Sequence, residues 1–222
     1  MRKKPASLDG KWIITAVAIV VVIAAVSTGA YFYQHPQSKT VAQVNGAAIT
    51  QAELDQQTSF PLSQIPGIFD SSGGAASQKE VDARNLQAAI DQQLLLQEAK
   101  KRKISVSAKT VTTAYSALTK SYADPVELKD KLKTASMTEA QLKSSVADNL
   151  TISALTKSLV SDASATEAKL RSYYNSHKDR YIGAGSFEDL KDEIKADYLN
   201  DARSAAVTKL VAQLEKTATI KK

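Results

Sequence analysis

The side chains that carry out most enzyme chemistry are scarce in this chain of 222 residues. Cysteine is absent, which excludes disulfides, thiolate catalysis, cysteine-based zinc sites and cysteine-ligated clusters. The two histidines, His35 and His177, are too few for a multi-histidine metal site. Neither has a sequence context that supplies a nucleophile and an acid for a triad, and no metalloprotease, phosphate-binding or dinucleotide-binding motif is present. We therefore expect no catalytic residue, no metal site and no cofactor.

Two further features have the residue types of a functional site but also a simpler structural interpretation. The carboxylates of Asp189 and Glu193 are four residues apart, a spacing typical of an exposed helix face rather than of acid–base catalysis. The aromatic-rich stretch 173–181 includes His177 and could form a peptide-contacting surface. Alternatively, it is a helix end at which basic residues complement the negative pole of the helix dipole.

The charge distribution argues against a nucleic-acid partner. Four basic residues against one acidic residue give residues 1–11 a net charge of +3, which leaves +3 of the total of +6 for the other residues. In that larger part the charges of both signs are interspersed, and no basic stripe with interleaved aromatic residues is present. The composition, with 8 Gly, 5 Pro and abundant helix-forming residues, favours a mainly α-helical fold.

A charge-free segment, Trp12–Tyr33, predicts a single membrane-spanning helix. As a helix its length is about 33 Å, which matches a hydrocarbon core of roughly 30 Å. Aromatic residues stand at both ends, as in interfacial anchors, and the preceding basic cluster predicts a cytoplasmic N-terminus with the rest outside. The alternative is a cleaved signal peptide with an apolar region 12–26 and a cleavage site at 28–30. Both interpretations place residues 34–222 on the extracytoplasmic side.

The elements after this segment begin with a predicted β-hairpin. Residues 40–49 read as two short strands around Asn45-Gly46, a pair that favours a type I′ turn because both positions need a positive φ. A two-stranded hairpin is marginal alone, and the alternating residues 217–220 supply a candidate third strand.

Helix starts are marked by a repeated capping-box pattern, in which an N-cap acceptor is followed three residues later by Glu or Gln. The matches are Thr50–Glu53, Ser77–Glu80, Asp124–Glu127, Thr138–Gln141, Ser164–Glu167 and, more weakly, Ser186–Asp189. Apolar residues recur at helical spacing after these starts. They run from Leu86 to Ala99, from Val111 to Tyr122, through Leu128 and Leu132, from Leu142 to Leu155 and from Phe187 to Leu214.

One stretch breaks the helical pattern and carries large apolar side chains. Residues 60–69 contain two prolines and run into a Ser/Gly-rich stretch, 70–77, so a continuous helix is excluded. This long loop either folds back on the core as a lid or forms a binding lip. Together with tyrosines of the helices, it gives our candidate binding residues: Phe60, Leu62, Ile65, Ile68, Phe69, Tyr115, Tyr122, Tyr173 and Tyr174.

The order of these segments resembles the SurA/PrsA family of extracytoplasmic folding factors. The resemblance is carried by VAQVNGAAIT at 41–50, by LQAAIDQQLLLQEAKKRKISVS at 86–107, by SATEAKLRSYYNSHKDRY at 164–181 and by SFEDLKDEI at 186–194. It implies a SurA N-terminal-like helical module with a small hairpin and a C-terminal strand beside it. In family members with peptidyl-prolyl isomerase activity, a parvulin domain follows the Tyr-Tyr segment. Here only residues 182–185 separate Tyr181 from the last helix.

The resemblance therefore implies a chaperone module without the catalytic one. We expect a cytoplasmic tail at 1–11, an anchor at 12–33, a linker at 34–39 and a module at 40–222, whose parts 40–181 and 186–220 pack together. Its partners would be unfolded or newly exported polypeptides, held in an apolar cradle. The alternatives are an adaptor that binds one fixed membrane partner and, third, a residual prolyl isomerase.

Overall fold

The computed structural model describes residues 39–59, 78–122 and 124–222, in which three short strands and seven α-helices occur. The strands are Thr40–Val44 (β1), Ala47–Thr50 (β2) and Ile220–Lys221 (β3). The helices are Gln51–Ser59 (α1), Gln78–Lys101 (α2), Ala108–Lys120 (α3), Pro125–Thr134 (α4), Glu139–Leu159 (α5), Glu167–Ser176 (α6) and Lys191–Glu215 (α7). Two 3-10 turns, Asp162–Ser164 and Lys178–Tyr181, flank α6. The prediction of a mainly α-helical fold with a small sheet is confirmed.

The predicted hairpin forms around Asn45 and Gly46, whose φ angles of 51° and 85° are both positive. Strands β1 and β2 pair antiparallel, with an irregularity between Thr40 and Ala42 that leaves Val41 as the extra residue. Such a bulge re-aims a side chain relative to the regular alternation of a strand. Val41 is consequently half-buried, although it lies next to the fully inward-facing Ala42.

A third strand joins this hairpin, as the sequence predicts. Strand β3 pairs antiparallel with β1, which gives the order β2-β1-β3. The strand occupies residues 220–221, slightly later than the predicted 217–220. One face of the sheet packs on α2, where Val44 and Ile90 are fully buried.

Local capping follows the sequence pattern at three helix starts. The backbone N–H of Thr50 donates to Glu53 (2.7 Å) while the N–H of Glu53 donates to Thr50 Oγ1 (3.3 Å), a reciprocal box. Thr138 and Gln141 form the same box at α5. Asp124 caps α4 by accepting from the N–H of Val126.

The predicted helix start at Ser164 is wrong. Asp162–Ser164 form a 3-10 turn in which the N–H of Ser164 donates to the carbonyl of the preceding Ser161, so Ser164 closes that turn. With Ser164 as its N-cap, helix α6 would begin at residue 165, but it begins at Glu167. Its N-cap is Thr166, whose side chain makes no capping bond. Ser186 and Asp189 do bond reciprocally, but they cap a turn that precedes α7.

The centre of the described part is formed by the long helices α2, α5 and α7, which pack on one another. Ala99 and Leu155 are fully buried there, and Leu210 of α7 closes the cluster. Two satellite clusters flank this centre, one built from α3, α4 and α5 and the other from α6 and α7. Residues Thr40–Lys222 belong to one unit.

The expected tail at 1–11, the segment Trp12–Tyr33 and all of the 34–39 linker except Lys39 lie outside the described residues. Within 39–59, 78–122 and 124–222, no helix combines the length and the apolar character that crossing a membrane needs.

Candidate functional site

The structure describes four of the nine candidate binding residues. Those outside the described ranges are Phe60, Leu62, Ile65, Ile68 and Phe69, so their contact with a partner stays a prediction. The four tyrosines lie in two different clusters, so they do not form one continuous surface with each other.

Tyr115 and Tyr122 pack against the cluster of α3, α4 and α5, in which Leu142 is fully buried. The Nζ atom of Lys131 lies 5.1 Å from the centre of the Tyr122 ring, within cation–π range. Burial and then the adjacent Glu139 carboxylate raise the pKa of Tyr115. Both rings are half-buried, which leaves part of each accessible to a partner.

Tyr173 and Tyr174 belong to the aromatic cluster of α6 and α7. Tyr173 is buried, and its hydroxyl donates to Asp201 Oδ2 (2.6 Å) and accepts from Arg180 (2.7 Å). Burial and the Asp201 carboxylate raise the pKa of Tyr173 to about 12, and the Tyr173 bond lowers the pKa of Asp201. Tyr174 is half-buried, with its ring centroid 5.8 Å from that of Phe187. Both rings therefore have a packing role.

His177 lies at a helix end, as one of the two interpretations of its sequence predicts. Helix α6 ends at Ser176, and His177 Nδ1 lies 2.9 Å from the carbonyl oxygen of Tyr173. That carbonyl can only accept, so Nδ1 carries its proton in this arrangement. The same Nδ1 lies 3.0 Å from Ser176 Oγ, but a protonated nitrogen cannot take the hydroxyl proton, so the pair is not a nucleophile and its base. In the described ranges, no group of three or more His, Asp or Glu residues is arranged to hold a metal ion.

The structure adds a groove that sequence analysis missed. It measures about 390 Å³ and lies between β1, α1 and the first turns of α2, within the roughly 300–1,000 Å³ of typical ligand clefts. Its apolar lining is contributed by Val41, Leu54, Val81 and Leu86, with Ala83 beside them. Val81 is 36% exposed, so a large apolar side chain is available at the rim.

Polar side chains complete the lining of this groove. Asp55 follows Leu54 on α1, Asp82 follows Val81 on α2, and the amides of Gln51 and Asn85 lie beside them. Gln51 donates to Asp55 Oδ1 at 2.9 Å, which orients that carboxylate. An apolar floor with a few polar groups is the usual composition of a binding cleft.

A larger concavity along α7, of about 640 Å³, is a weaker candidate. Its described lining consists of Arg180, Asp201, Ser204, Ala205, Thr208, Lys209 and Ala212. None of these is a large apolar side chain, and the concavity is wide open to solvent. The groove between β1, α1 and α2, hereafter the α1–α2 groove, is therefore the candidate site.

Sequence reasoning missed the α1–α2 groove because its lining comes from three separate segments. Val41 lines the groove and is the extra residue of a β-bulge, which the alternating strand pattern does not predict. Leu86 begins the periodic apolar positions of α2, and it packs against the core while also lining the groove. A local sequence signal for the groove is Val81, an apolar residue that precedes the periodic apolar positions of α2, which begin at Leu86.

Comparison with known proteins agrees with the resemblance seen in the sequence. A family model described as the SurA-like N-terminal domain matches residues 1–156. The foldase protein PrsA of Clostridium acetobutylicum is 25% identical over 154 residues, which cover 65% of this chain and 46% of that protein. The matched stretch thus spans about half the length of the curated relative. The family match ends at residue 156, so the resemblance of the later segments stays a prediction.

Proposed function

Because the chain belongs to the family of SurA-like N-terminal domains, we propose that it is a chaperone-type module that holds unfolded or newly exported polypeptides. The observation that carries the proposal is the α1–α2 groove, whose apolar floor and exposed Val81 offer a place for apolar side chains of a client. The resemblance to a foldase protein supports the same role.

Holding a client in this way needs no reaction, only reversible burial of apolar surface. Full burial of a side chain of leucine size contributes about 1.5–3 kcal/mol. Ordering the client opposes this gain by about 0.5–1.5 kcal/mol for each immobilised side chain. Single contacts are therefore weak, and a client can leave without an energy source such as ATP.

We propose that the module itself does not catalyse prolyl isomerisation. In the SurA/PrsA resemblance, a parvulin domain would stand between Tyr181 and the last helix. Residues 182–190 form this link here, and the N–H of Ala184 donates to the carbonyl of Tyr181 in a tight turn. Nine residues cannot hold a domain of ordinary size.

We also propose that Trp12–Tyr33 anchors the module in the cell membrane with the N-terminus in the cytoplasm. Its length, its lack of charge and the basic residues before it support this placement. The test is alkaline extraction of membranes followed by protease treatment of intact cells stripped of their wall. Release by alkali, or protection of residues 40–222 from protease, would contradict the proposal.

The holding function is tested with the purified full chain in mild detergent. A chemically unfolded client is diluted into buffer without ATP, and aggregation is followed by light scattering. We expect suppression that rises with chain concentration and approaches completion near a one-to-one ratio. Full aggregation in the presence of a chain whose circular dichroism is helical would overturn the proposal. Detergent alone and an unrelated detergent-solubilised protein are the controls.

The two other functions predict different results. An adaptor would bind one membrane partner saturably and would leave client aggregation unchanged. An isomerase would accelerate a proline-limited refolding phase, which normally takes tens to hundreds of seconds.

A further inference from the structure

The C-terminal end of α2 carries a concentrated positive charge. Residues 99–123, which include this end and all of α3, contain six basic residues and no acidic one, so their net charge of +6 equals that of the whole chain. Four of the six are consecutive and exposed, namely Lys100, Lys101, Arg102 and Lys103, hereafter the basic cluster. Basic residues in the last turn complement the helix dipole, but that effect does not require four of them.

Glu98 is the acidic residue that contacts the basic cluster, and it neutralises only part of the charge. It is 9% exposed, and its Oε1 atom accepts from Arg102 Nε at 2.7 Å, while Lys101 Nζ lies 4.0 Å from Oε2. Within the described ranges, Lys100 and Lys103 form no ion pair. An excess of positive charge therefore faces solvent at this end of α2.

The helices that pack on this end of α2 add no negative charge there. Ala99, the residue before the basic cluster, is fully buried in the central cluster formed with α5 and α7. The residues of α5 and α7 in that cluster fall within 149–161 and 204–214. The charged residue of the first segment is Lys157 and that of the second is Lys209. Folding therefore brings together three segments that carry only positive charge.

From this distribution we propose that the basic cluster docks the module on a membrane surface that contains anionic lipids. Lysine ammonium groups on flexible stems suit a diffuse negative surface, whereas recognition of a single phosphate favours the planar fork of arginine. Each basic side chain near such a surface raises the ratio of docked to undocked modules about 5-fold. This docking goes beyond the proposed holding of clients and does not involve the α1–α2 groove.

The reach of the chain is compatible with this docking when 12–33 is the anchor. The linker 34–39 spans at most about 20 Å, and β1 extends about 13 Å from Thr40 to Val44. The carbonyl of Val44 accepts from Gln97 at 3.0 Å, and Gln97 lies about one helical turn before Lys101. The basic cluster is thus roughly 20 Å from Thr40, so it can contact the headgroups while the sheet stays intact.

Docking is tested with the full chain reconstituted into vesicles of neutral lipid or of a mixture of neutral and anionic lipids. Because the chain has no cysteine, Ser105→Cys places a single dye beside the basic cluster, and Ser172→Cys places one on α6 as the control. Both serines are exposed. Energy transfer to a headgroup-labelled lipid from position 105 should rise in anionic vesicles and fall back in high salt. Transfer from position 172 should not rise.

Variants assign the docking to the basic cluster. Lys100→Gln, Lys101→Gln and Lys103→Gln together should lower the ratio of docked to undocked modules about 10-fold or more. Arg102 stays in place, because its loss would leave the buried Glu98 carboxylate without its closest partner. The matched control changes three exposed lysines elsewhere, Lys129→Gln, Lys178→Gln and Lys195→Gln. It should dock like the wild type, and so should arginine at the three cluster positions.

Three outcomes would overturn the inference. The first is equal transfer from position 105 in neutral and anionic vesicles. The second is an equal loss of docking in the control variant, which would make net charge the cause. The third is a cluster variant that docks normally but no longer suppresses aggregation of an acidic client, which would assign the cluster to polypeptides. The holding function fails separately if the wild-type chain does not suppress aggregation, and the anchor fails separately if alkali releases the chain from neutral vesicles.

Discussion

Asn45 and Thr219 join the two ends of the module through a pair of hydrogen bonds. The N–H of Asn45 donates to the carbonyl of Thr219 at 2.9 Å, and the N–H of Thr219 donates to Asn45 Oδ1 at 2.9 Å. Asn45 also donates from Nδ2 to Gln97 of α2 at 2.7 Å. One side chain in a hairpin turn thus connects the first strand, a central helix and the segment that enters the last strand.

The first prediction concerns this connection. Asn45→Ala should lower the free energy of unfolding by about 2–3 kcal/mol, because alanine at positive φ costs about 1–2 kcal/mol and the Thr219 bond contributes about 1 kcal/mol. Urea unfolding followed by circular dichroism measures the change. The control Asn45→Asp keeps the acceptor oxygen and should lose less. An alanine variant as stable as the wild type would show that the turn does not hold the sheet together.

The second prediction is a pH dependence that originates at Asp148 of α5. Burial raises the pKa of Asp148 to about 6 from its ordinary value of 3.8. The folded chain therefore binds more protons than the unfolded chain between about pH 4 and pH 6, so this group makes stability fall as the pH rises through that interval. Asp148→Asn should raise the free energy of unfolding at pH 7.5 by about 1–2 kcal/mol, discounted for partial exposure.

The measurement compares Asp148→Asn with the wild type by urea unfolding at pH 4.5 and at pH 7.5. The gain should shrink at the lower pH. As a matched control, Asp192→Asn removes an exposed carboxylate of α7. A gain that is equal at both pH values would contradict titration of Asp148 in this interval.

The third prediction concerns the neighbouring residue, Asn149, which is 8% exposed. Within the described part of the chain, its Nδ2 atom has no hydrogen-bond partner. An unpaired buried donor costs about 1–3 kcal/mol, so Asn149→Leu should leave the free energy of unfolding equal or raise it by about 1–2 kcal/mol. Asn149→Ala, which removes the amide but creates a cavity, should be less stable than Asn149→Leu. A loss above about 1 kcal/mol for the leucine variant would indicate that the amide is satisfied.

The fourth prediction uses two exposed valines as a matched pair. Val81 lies in the α1–α2 groove and Val126 lies on α4, with exposed fractions of 36% and 58%. Val81→Ser should weaken binding of an unfolded client about 3-fold or more, because it removes an apolar contact in the groove. Val126→Ser should not change client binding. The same effect from both substitutions would indicate non-specific adhesion rather than a site.

The fifth prediction concerns the apolar stretch 60–69. Ile65→Ser with Phe69→Ser should weaken client binding and leave the melting temperature nearly unchanged, if these side chains form a binding lip. Differential scanning fluorimetry and the aggregation assay measure the two quantities in parallel. A much lower melting temperature would instead identify these residues as core and remove the lip hypothesis.

Features determined by neighbouring residues could be predicted from the sequence. The Asn45-Gly46 turn follows from backbone sterics, and the Thr50–Glu53 box from hydrogen bonding over one turn. The prediction of a helix start at Ser164 is wrong for a physical reason, since a serine can cap a helix or close a 3-10 turn. Local pattern does not distinguish these two uses of a serine.

The candidate site could not be predicted, because it depends on contacts between distant segments. Val41, Leu54 and Leu86 meet only after the sheet has packed on α2. The tyrosines show the same limit, because the sequence does not indicate the cluster in which each of them packs. Periodicity predicts a helix at Tyr115, and one interpretation of the aromatic-rich stretch 173–181 predicts a helix end at Tyr173, but only the packing of α5 and α7 divides the two residues between two clusters.

Site-specific photo-crosslinking tests the central claim most directly. A photoreactive amino acid is placed at position 81 in the groove or, as the control, at position 126, and the full chain is irradiated with a radiolabelled unfolded client. The account predicts strong crosslinks from position 81, weak ones from position 126, and competition by an unlabelled apolar peptide at position 81. Crosslinks from position 126 that equal or exceed those from position 81 would contradict the account.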